Sequence, residues 1–408
     1  MAHEFPVITT KQYTVEVTKW LTAIKRGEDA CVLFFPKTDR DIRLGQLLND
    51  AEITKRVFGS NTTHLYLRVD FEAHNVEDSE DFSFQIEERL NLLKITPESM
   101  TFEKWMKYLR KKGITLILIL PEAEKYLTTE GKIALSIISY VIKNYTPIIR
   151  ILSFFETNIT HSSILPILPS SSWLYENIFH YPLYSEAETK RFMILIARQW
   201  SLTLDSKKES KILHECGGHF WLVKEALRRL AAGEDWSSDH EGMLFRLRSV
   251  YNLMLPSEQE IVEKIVTGRS DVSPEEQLSL DYLMKMRVIS PEKELLIGAF
   301  KNFILHKSDT TSYNLNLKDN RVYLNNITVH KIFSRKEYRA LKLLVAKKNQ
   351  IVTRDEIGKS LWQDDTEYSD WAIDQLICRL RKRFMELSLS PKIIRSVRGK
   401  GYILEMSA

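Results

Sequence analysis

The sequence predicts an α/β body followed by a smaller α+β module, and two observations carry that reading. Runs such as Ile114-Thr115-Leu116-Ile117-Leu118-Ile119-Leu120 are continuously apolar and β-rich. Strands of a parallel sheet covered by helices on both faces have this composition, and the runs alternate with helical segments. Near the C-terminus, residues 371–384 have helical periodicity and precede the short basic run Ile394-Arg395-Ser396-Val397-Arg398-Gly399-Lys400-Gly401-Tyr402, which reads as a hairpin.

In the body, a strand at 30–35 falls between helices near 15–26 and 42–49. A strand at 64–69, helices at about 82–93 and 102–112, a strand at 114–120, a helix near 133–143 and a strand at 148–154 follow. Together they define a first domain, residues 1–181. Helices are expected over 182–250, turning at Cys216-Gly217-Gly218-His219, and a small helix-plus-hairpin domain over 251–307. The polar stretch 306–312 reads as a linker. The last module, 313–408, opens with alternating strands at 313–317, 321–324 and 327–329, separated by Asp319-Asn320 and Asn325-Asn326 turns. Ser334, with Glu337 three residues on, marks the start of a helix over 334–344.

Ile373, Ile377, Leu380 and Phe384 recur at helical spacing and build one apolar stripe. The opposite face holds Trp371, Gln375, Cys378, Arg379 and Lys382, with Arg381 and Arg383 on the flanks. Such a helix can dock on a core while its outer side meets a polyanion; the plain alternative is a solvated basic helix. Residues 329–405 hold 17 Lys+Arg against 10 Asp+Glu, although the whole chain is only +4. The positive charge is therefore concentrated in the last module, which excludes a histone-like coat. Three scattered cysteines suit a reducing compartment, and neither a signal peptide nor a membrane span is read. A cytoplasmic location is expected.

The segments from 313 onward, through Val352-Thr353-Arg354-Asp355-Glu356-Ile357, Leu361-Trp362, Arg379-Leu380-Arg381-Lys382 and Val397-Arg398-Gly399-Lys400-Gly401-Tyr402, resemble the winged-helix DNA-binding domain of OmpR/PhoB-type transcription regulators. The resemblance implies double-stranded DNA as partner. Arg379 would contact base edges, Arg381 a phosphate or a base, Arg398 the minor groove, and Ser396 the backbone or a base. Trp371, Lys382, Arg383 and Lys400 complete the expected surface, and Gln375 faces outward as a second base reader. A bacterial regulator, homodimeric on DNA and compatible with an RNA polymerase contact, is implied. Trp371, Leu376 and Cys378 stand where many relatives carry polar or basic groups, so no relative's target sequence transfers.

The order of elements in the body looks like an AAA+/STAND-type P-loop ATPase, with Pro182-Leu183-Tyr184-Ser185-Glu186-Ala187-Glu188 resembling the start of its lid. Residues 251–307 resemble the small winged helix often attached to it. The chemistry of that family is missing. Glycines, a lysine and a hydroxyl normally wrap the phosphates and Mg²⁺. The stretch Phe35-Pro36-Lys37-Thr38-Asp39-Arg40-Asp41-Ile42 has no glycine, and it places Asp41 at the lysine position and Ile42 at the hydroxyl position. Pro121 replaces the metal-organising Asp at the end of the 114–120 strand, and Glu122 sits at the water-activating position. Lys37, Arg40 and Arg43 could still draw an anion. No catalytic residue, cofactor or metal is expected, and the body reads as a degenerate, non-hydrolysing sensor of an unidentified ligand or partner, or an oligomerisation module. A nucleotide-switched signalling ATPase and a protein-interaction scaffold are the rival readings. His214, Cys216 and His219 could in principle bind zinc, but the Gly217-Gly218 turn already explains their spacing. Trp200, Trp221 and Trp236 are expected in the lid core.

Overall fold

A computed structural model describes residues 10–59, 64–69, 78–127, 129–166, 168, 176–234, 236–269, 271–305, 315–318, 321–324, 327–329, 333–361, 369–386, 393–397 and 399–405. The chain forms two compact units, Met1–Phe303 and Ile304–Ala408.

The first unit opens with α1 (Lys11–Lys25), whose first turn is capped by the Thr10 hydroxyl accepting from the Tyr13 N–H. Then come β1 (Ala30–Phe34), α2 (Arg40–Asn49), α3 (Ala51–Phe58), β2 (His64–Arg68), α4 (Ser79–Leu92), α5 (Phe102–Lys112), β3 (Thr115–Leu120), α6 (Thr129–Asn144), β4 (Ile149–Phe155) and β5 (Ile178–Tyr181). All five strands are parallel, in the spatial order β2-β3-β4-β1-β5. Every residue of β1 and β4 is buried, as a sheet covered on both faces requires. α1 packs on β1, β4 and β5, where Trp20 meets Phe34, Phe154 and Tyr181. Elements outside the sequence expectation include β5 and α3. β5 has four residues at the sheet edge, too few to show periodicity, and α3 follows α2 directly because the Asp50 carboxylate caps the Ile53 N–H at 3.0 Å.

Helices α7 (Glu186–Gln199), α8 (Ser206–Cys216), α9 (Phe220–Ala231) and α10 (Glu241–Leu253) follow, then α11 (Pro256–Val266), α12 (Pro274–Lys285) and α13 (Ala299–Leu305). A bridge between Ile289 and Leu295 forms the small hairpin. Trp236 is buried, whereas Trp200 and Trp221 are only partly so, a departure from the expected lid core; Arg246 lies over the Trp221 ring at 5.0 Å. Among the described residues, no helix is long and apolar enough to cross a membrane.

The second unit contains β6 (Leu315–Lys318), β7 (Arg321–Leu324) and β8 (Ile327–Thr328) in one antiparallel sheet. After it come α14 (Arg335–Ala346), β9 (Ile351–Val352), α15 (Arg354–Leu361), α16 (Asp370–Glu386), β10 (Ile394–Val397) and β11 (Gly401–Leu404). The second sheet runs β10-β11-β9. Ser334 and Glu337 form the capping box of α14, with the Ser334 N–H donating to Glu337 Oε2 at 2.8 Å. The three helices close on one core that includes Leu341, Leu344, Val352, Ile357 and Tyr402. The turns at Asp319-Asn320 and Asn325-Asn326, the 306–312 linker and Trp362 lie outside the described residues.

Candidate functional site

Helix α16 has two opposed faces. Ile373, Leu376, Ile377, Leu380 and Phe384 are all buried in the core of the second unit. Leu376 extends this apolar face. Trp371, Gln375, Cys378, Arg379 and Lys382 are exposed on the outer side, and Arg383 is half-buried. Ser369 starts the helix, its hydroxyl accepting from the Ala372 N–H at 3.2 Å. Arg379 keeps 60% of its side chain in solvent, with Nε 3.8 Å from Oε1 of the nearly buried Glu337. That carboxylate limits where the guanidinium can swing.

Arg381 takes a different place from the one implied for it. Its Nε and Nη2 donate to the Ile394 carbonyl at 3.0 and 2.8 Å, and Nη2 also donates to Ser396 Oγ at 2.9 Å. The guanidinium thus staples α16 to β10. Ser396 is exposed, and so is Lys400 beyond the turn closed by the Lys400 N–H to the Val397 carbonyl at 2.9 Å. Arg398 lies outside the described residues.

Three positioning residues escaped the sequence reading. Arg354 on α15 donates to both oxygens of Asp374, at 2.9 and 3.2 Å, and the Tyr402 hydroxyl donates to the same carboxylate. Arg354 also lies over the Tyr402 ring at 5.4 Å. The hydrogen bond from Arg354 holds the Asp374 carboxyl below its usual range, and burial beside Asp374 pushes the Tyr402 hydroxyl up to about 12. The network ties α15, α16 and β11 together under the outward face. An acidic residue four positions before Cys378 was the available signal.

At the C-terminal ends of the parallel strands, where open α/β sheets bind ligands, the first unit is filled by its own side chains. The loop from Phe35 to Asp39 leaves β1 with Lys37 exposed at φ +57°. Asp39 and Arg43 are buried; Arg43 Nε donates to Asp39 Oδ2 at 2.8 Å and to the Tyr184 hydroxyl at 2.6 Å, and Nη1 donates to Gln46 at 2.7 Å. The Tyr184 hydroxyl donates to Asp39, and the Arg43 guanidinium lies over the rings of Tyr13, Tyr184 and Phe192. The space enclosed by Thr38, Asp39, Tyr181, Tyr184, Gly218 and Phe220 has no room even for a water molecule. Ligand sites span about 300–1,000 Å³.

Arg40, also buried, pairs with Glu124 at 2.8 Å, Glu122 at 3.5 Å and Asp41 at 3.8 Å. Glu156, whose carboxyl is raised by burial, lies beside the Lys37 N–H. A protein carboxylate therefore meets the loop N–H that a phosphate would use in a functional P-loop. Asp41 is exposed, Ile42 half-buried and Pro121 buried, and Glu122 is bound by Lys125, which lowers its pKa. His219 Nε2 donates to the Pro36 carbonyl at 3.0 Å, while His214 is exposed and Cys216 buried. Among the described residues, no group of three His, Cys, Asp or Glu is placed to hold a metal ion.

Residues 331–404 match the family model described as "Transcriptional regulatory protein, C terminal". The C-terminal unit carries this regulatory domain. The sensory transduction protein BceR of Halalkalibacterium halodurans is 44% identical over 70 residues, 17% of this chain and 30% of that protein. The response regulator protein GraR of Staphylococcus aureus is 43% identical over 70 residues, 17% of this chain and 31% of that protein. The chain thus spans less than a third of the length of these relatives, and the likeness is confined to the regulatory domain. Among solved structures, the Walker-type ATPase PABY2304 of Pyrococcus abyssi aligns with 72% of this chain and 95% of its own, at 13% identity and a TM-score of 0.46. The Aeropyrum pernix ORC1 protein, solved in complex with DNA, aligns with 100% of this chain and 92% of its own, at 12% identity and a TM-score of 0.45. The fold of the body, a five-stranded parallel sheet with helices like that of P-loop ATPases, rests here on its strand order and on the position of the loop after β1. In the regulatory domain, α16 is followed directly by the β10–β11 hairpin, the helix-and-hairpin order of a winged helix.

Proposed function

We propose that the chain is a sequence-specific transcription regulator that binds double-stranded DNA through α16 and the β10–β11 wing. The observation that carries this reading is the division of α16, with a buried apolar stripe behind and Gln375, Arg379 and Lys382 exposed on the outer side. Arg is matched to the paired acceptors of guanine and Gln to adenine, while Lys382, Lys400 and Ser396 suit phosphates. Arg381 acts as a positioning residue, setting the wing against the helix. Arg398, at the wing tip by sequence, keeps the minor-groove role that the resemblance implies.

The body acts as a non-hydrolysing module, without enzymatic turnover, that senses a partner or brings two chains together on DNA. The filled space around Asp39, Arg43 and Tyr184 supports this, since a nucleotide would have to displace a buried ion pair. A homodimer on tandem half-sites, a contact with RNA polymerase and a cytoplasmic, bacterial setting belong to the same proposal.

The test is a gel shift of the full chain with genomic fragments, beside the Arg379→Ala variant. Site preference should weaken in the variant, because the guanine contact is lost. Equal retention of all fragments by both proteins would turn the reading towards a protein-interaction scaffold. Titration with Mg-ATP should give no heat at millimolar nucleotide; saturable binding would restore the nucleotide-switched reading.

A further inference from the structure

Helix α16 presents one line of outward side chains, Trp371, Gln375, Cys378 and Lys382, with Arg379 beside it. Three of the four in that line are uncharged, an unusual choice for a face that meets a polyanion. Trp371 leaves 71% of its surface in water, against 38% for Leu317, 40% for Ile351 and 49% for Leu305, the other exposed large apolar side chains described in this unit. An indole exposed on the outward face at the start of such a helix offers a large, rigid apolar surface to an apolar group on the partner. In the major groove the apolar group is the thymine methyl.

Resting on the DNA-binding reading above, we propose that α16 reads a short half-site in which an adenine and a guanine lie about two base pairs apart, with thymine methyls against Trp371 and Cys378. Gln375 takes adenine N6 and N7, and Arg379 takes guanine O6 and N7. The two residues are four apart, so a helix rise of about 1.5 Å per residue separates them by roughly 6 Å. Base pairs stack about 3.4 Å apart along the groove, which gives the spacing of two. Trp371 lies a further turn towards the helix N-terminus and meets a thymine on the adenine side. Cys378 lies between the two readers, over a thymine next to the guanine. Glu337 Oε1, 3.8 Å from Arg379 Nε, restricts the guanidinium to this end of the line, and Arg381 is held by the wing and does not compete.

The experiment selects bound sites from a randomised duplex library with the full-length chain, then replaces each thymine of the winning site by deoxyuridine, which removes only the methyl group. At about the transfer energy of one methylene, each contacted thymine should lose about fourfold in affinity on replacement. Trp371→Ala should bind more weakly yet no longer distinguish thymine from deoxyuridine at its position. Gln375→Ala should relax the adenine position alone, and Arg379→Ala the guanine position alone. Winning sites made wholly of G·C pairs, or equal affinity of the unaltered chain for thymine and deoxyuridine duplexes, would overturn the proposal while leaving DNA binding intact. A library that enriches nothing would remove the DNA-binding reading itself.

Discussion

The Asp39 carboxylate and the Arg43 guanidinium meet at 2.8 Å with 3% and 1% of their side chains exposed, one turn apart at the start of α2. The pair stands on the route a phosphate would take. Burying two charges is tolerable because each is held by more than the other: Tyr184 donates to Asp39, and Gln46 and three aromatic rings surround Arg43. Breaking the pair from one side should be severe. Arg43→Met is expected to cost about 3–5 kcal/mol, because Asp39 is left buried and uncompensated. Asp39→Asn together with Arg43→Met should recover part of that loss. Calorimetry of the three variants checks it; an unshifted melting transition in Arg43→Met would mean the pair contributes nothing.

The wing depends on a close approach that only glycine permits. Gly401 has φ +136°, and a Cβ there would lie 2.2 Å from the Val352 carbonyl oxygen, across the β9–β11 pairing. Gly401→Ala must therefore separate those strands and move Tyr402 away from Asp374. Strain of this kind costs about 1–3 kcal/mol before the clash is counted. Gly399, at φ +70° with open space around it, is the control, for which alanine should cost about 1–2 kcal/mol. The expected order in both chemical denaturation and DNA affinity is unaltered, Gly399→Ala, Gly401→Ala. Equal behaviour of the two variants would show that the Val352 contact is not limiting.

Sequence reading reaches those features whose cause is local. The parallel sheet is legible because β1 is wholly apolar, β3 departs only at Thr115 and β4 only at Arg150 and Ser153, and the inner face of α16 because Ile373, Ile377, Leu380 and Phe384 keep helical spacing. What escapes is set by partners far along the chain. Arg43 reads as a cation available to an anion, yet its hydroxyl partner Tyr184 is 141 residues on. Arg381 reads as a flank residue on a helical wheel, yet the Ile394 carbonyl that turns it inward belongs to the next strand. β5 is short and takes its place from pairing with β1 rather than from any pattern of its own.

The three cysteines give a direct reporter of the outer face of α16. Cys31 and Cys216 are buried and burial pushes both thiols up, Cys31 to about 12, whereas Cys378 is exposed. N-ethylmaleimide should add once to the native chain, at Cys378, and three times after denaturation. A duplex carrying a preferred site should slow the native reaction, because Cys378 lies in line with Gln375. Mass spectrometry after timed quenching reads both results; labelling at an unchanged rate on DNA would place this face away from the groove.

Stability should also carry a pH signature from Glu258. This carboxylate is buried and accepts from the Leu255 N–H at 2.9 Å at the start of α11. Burial raises its pKa to about 7, offset in part by Leu255 and Asn158, and it lies near the buried Tyr282 hydroxyl. The folded state therefore holds the proton more tightly than the unfolded chain, whose value is 4.5. The stabilisation is complete below about pH 4.5 and lost as pH rises towards 7, a change of roughly 3 kcal/mol. Asp29, raised to about 6 by burial, slopes the same way, whereas His180 and His219, lowered to about 4, lose their contribution as pH falls from the free histidine value of 6.5. A difference measurement isolates Glu258 from these groups. Glu258→Gln keeps an oxygen for the Leu255 N–H but carries no charge, so its advantage over the unaltered chain should be small at pH 4.5 and grow to its full size by pH 8. Denaturation profiles at both pH values decide the matter, since a constant difference between the two proteins would mean that Glu258 does not titrate in this window.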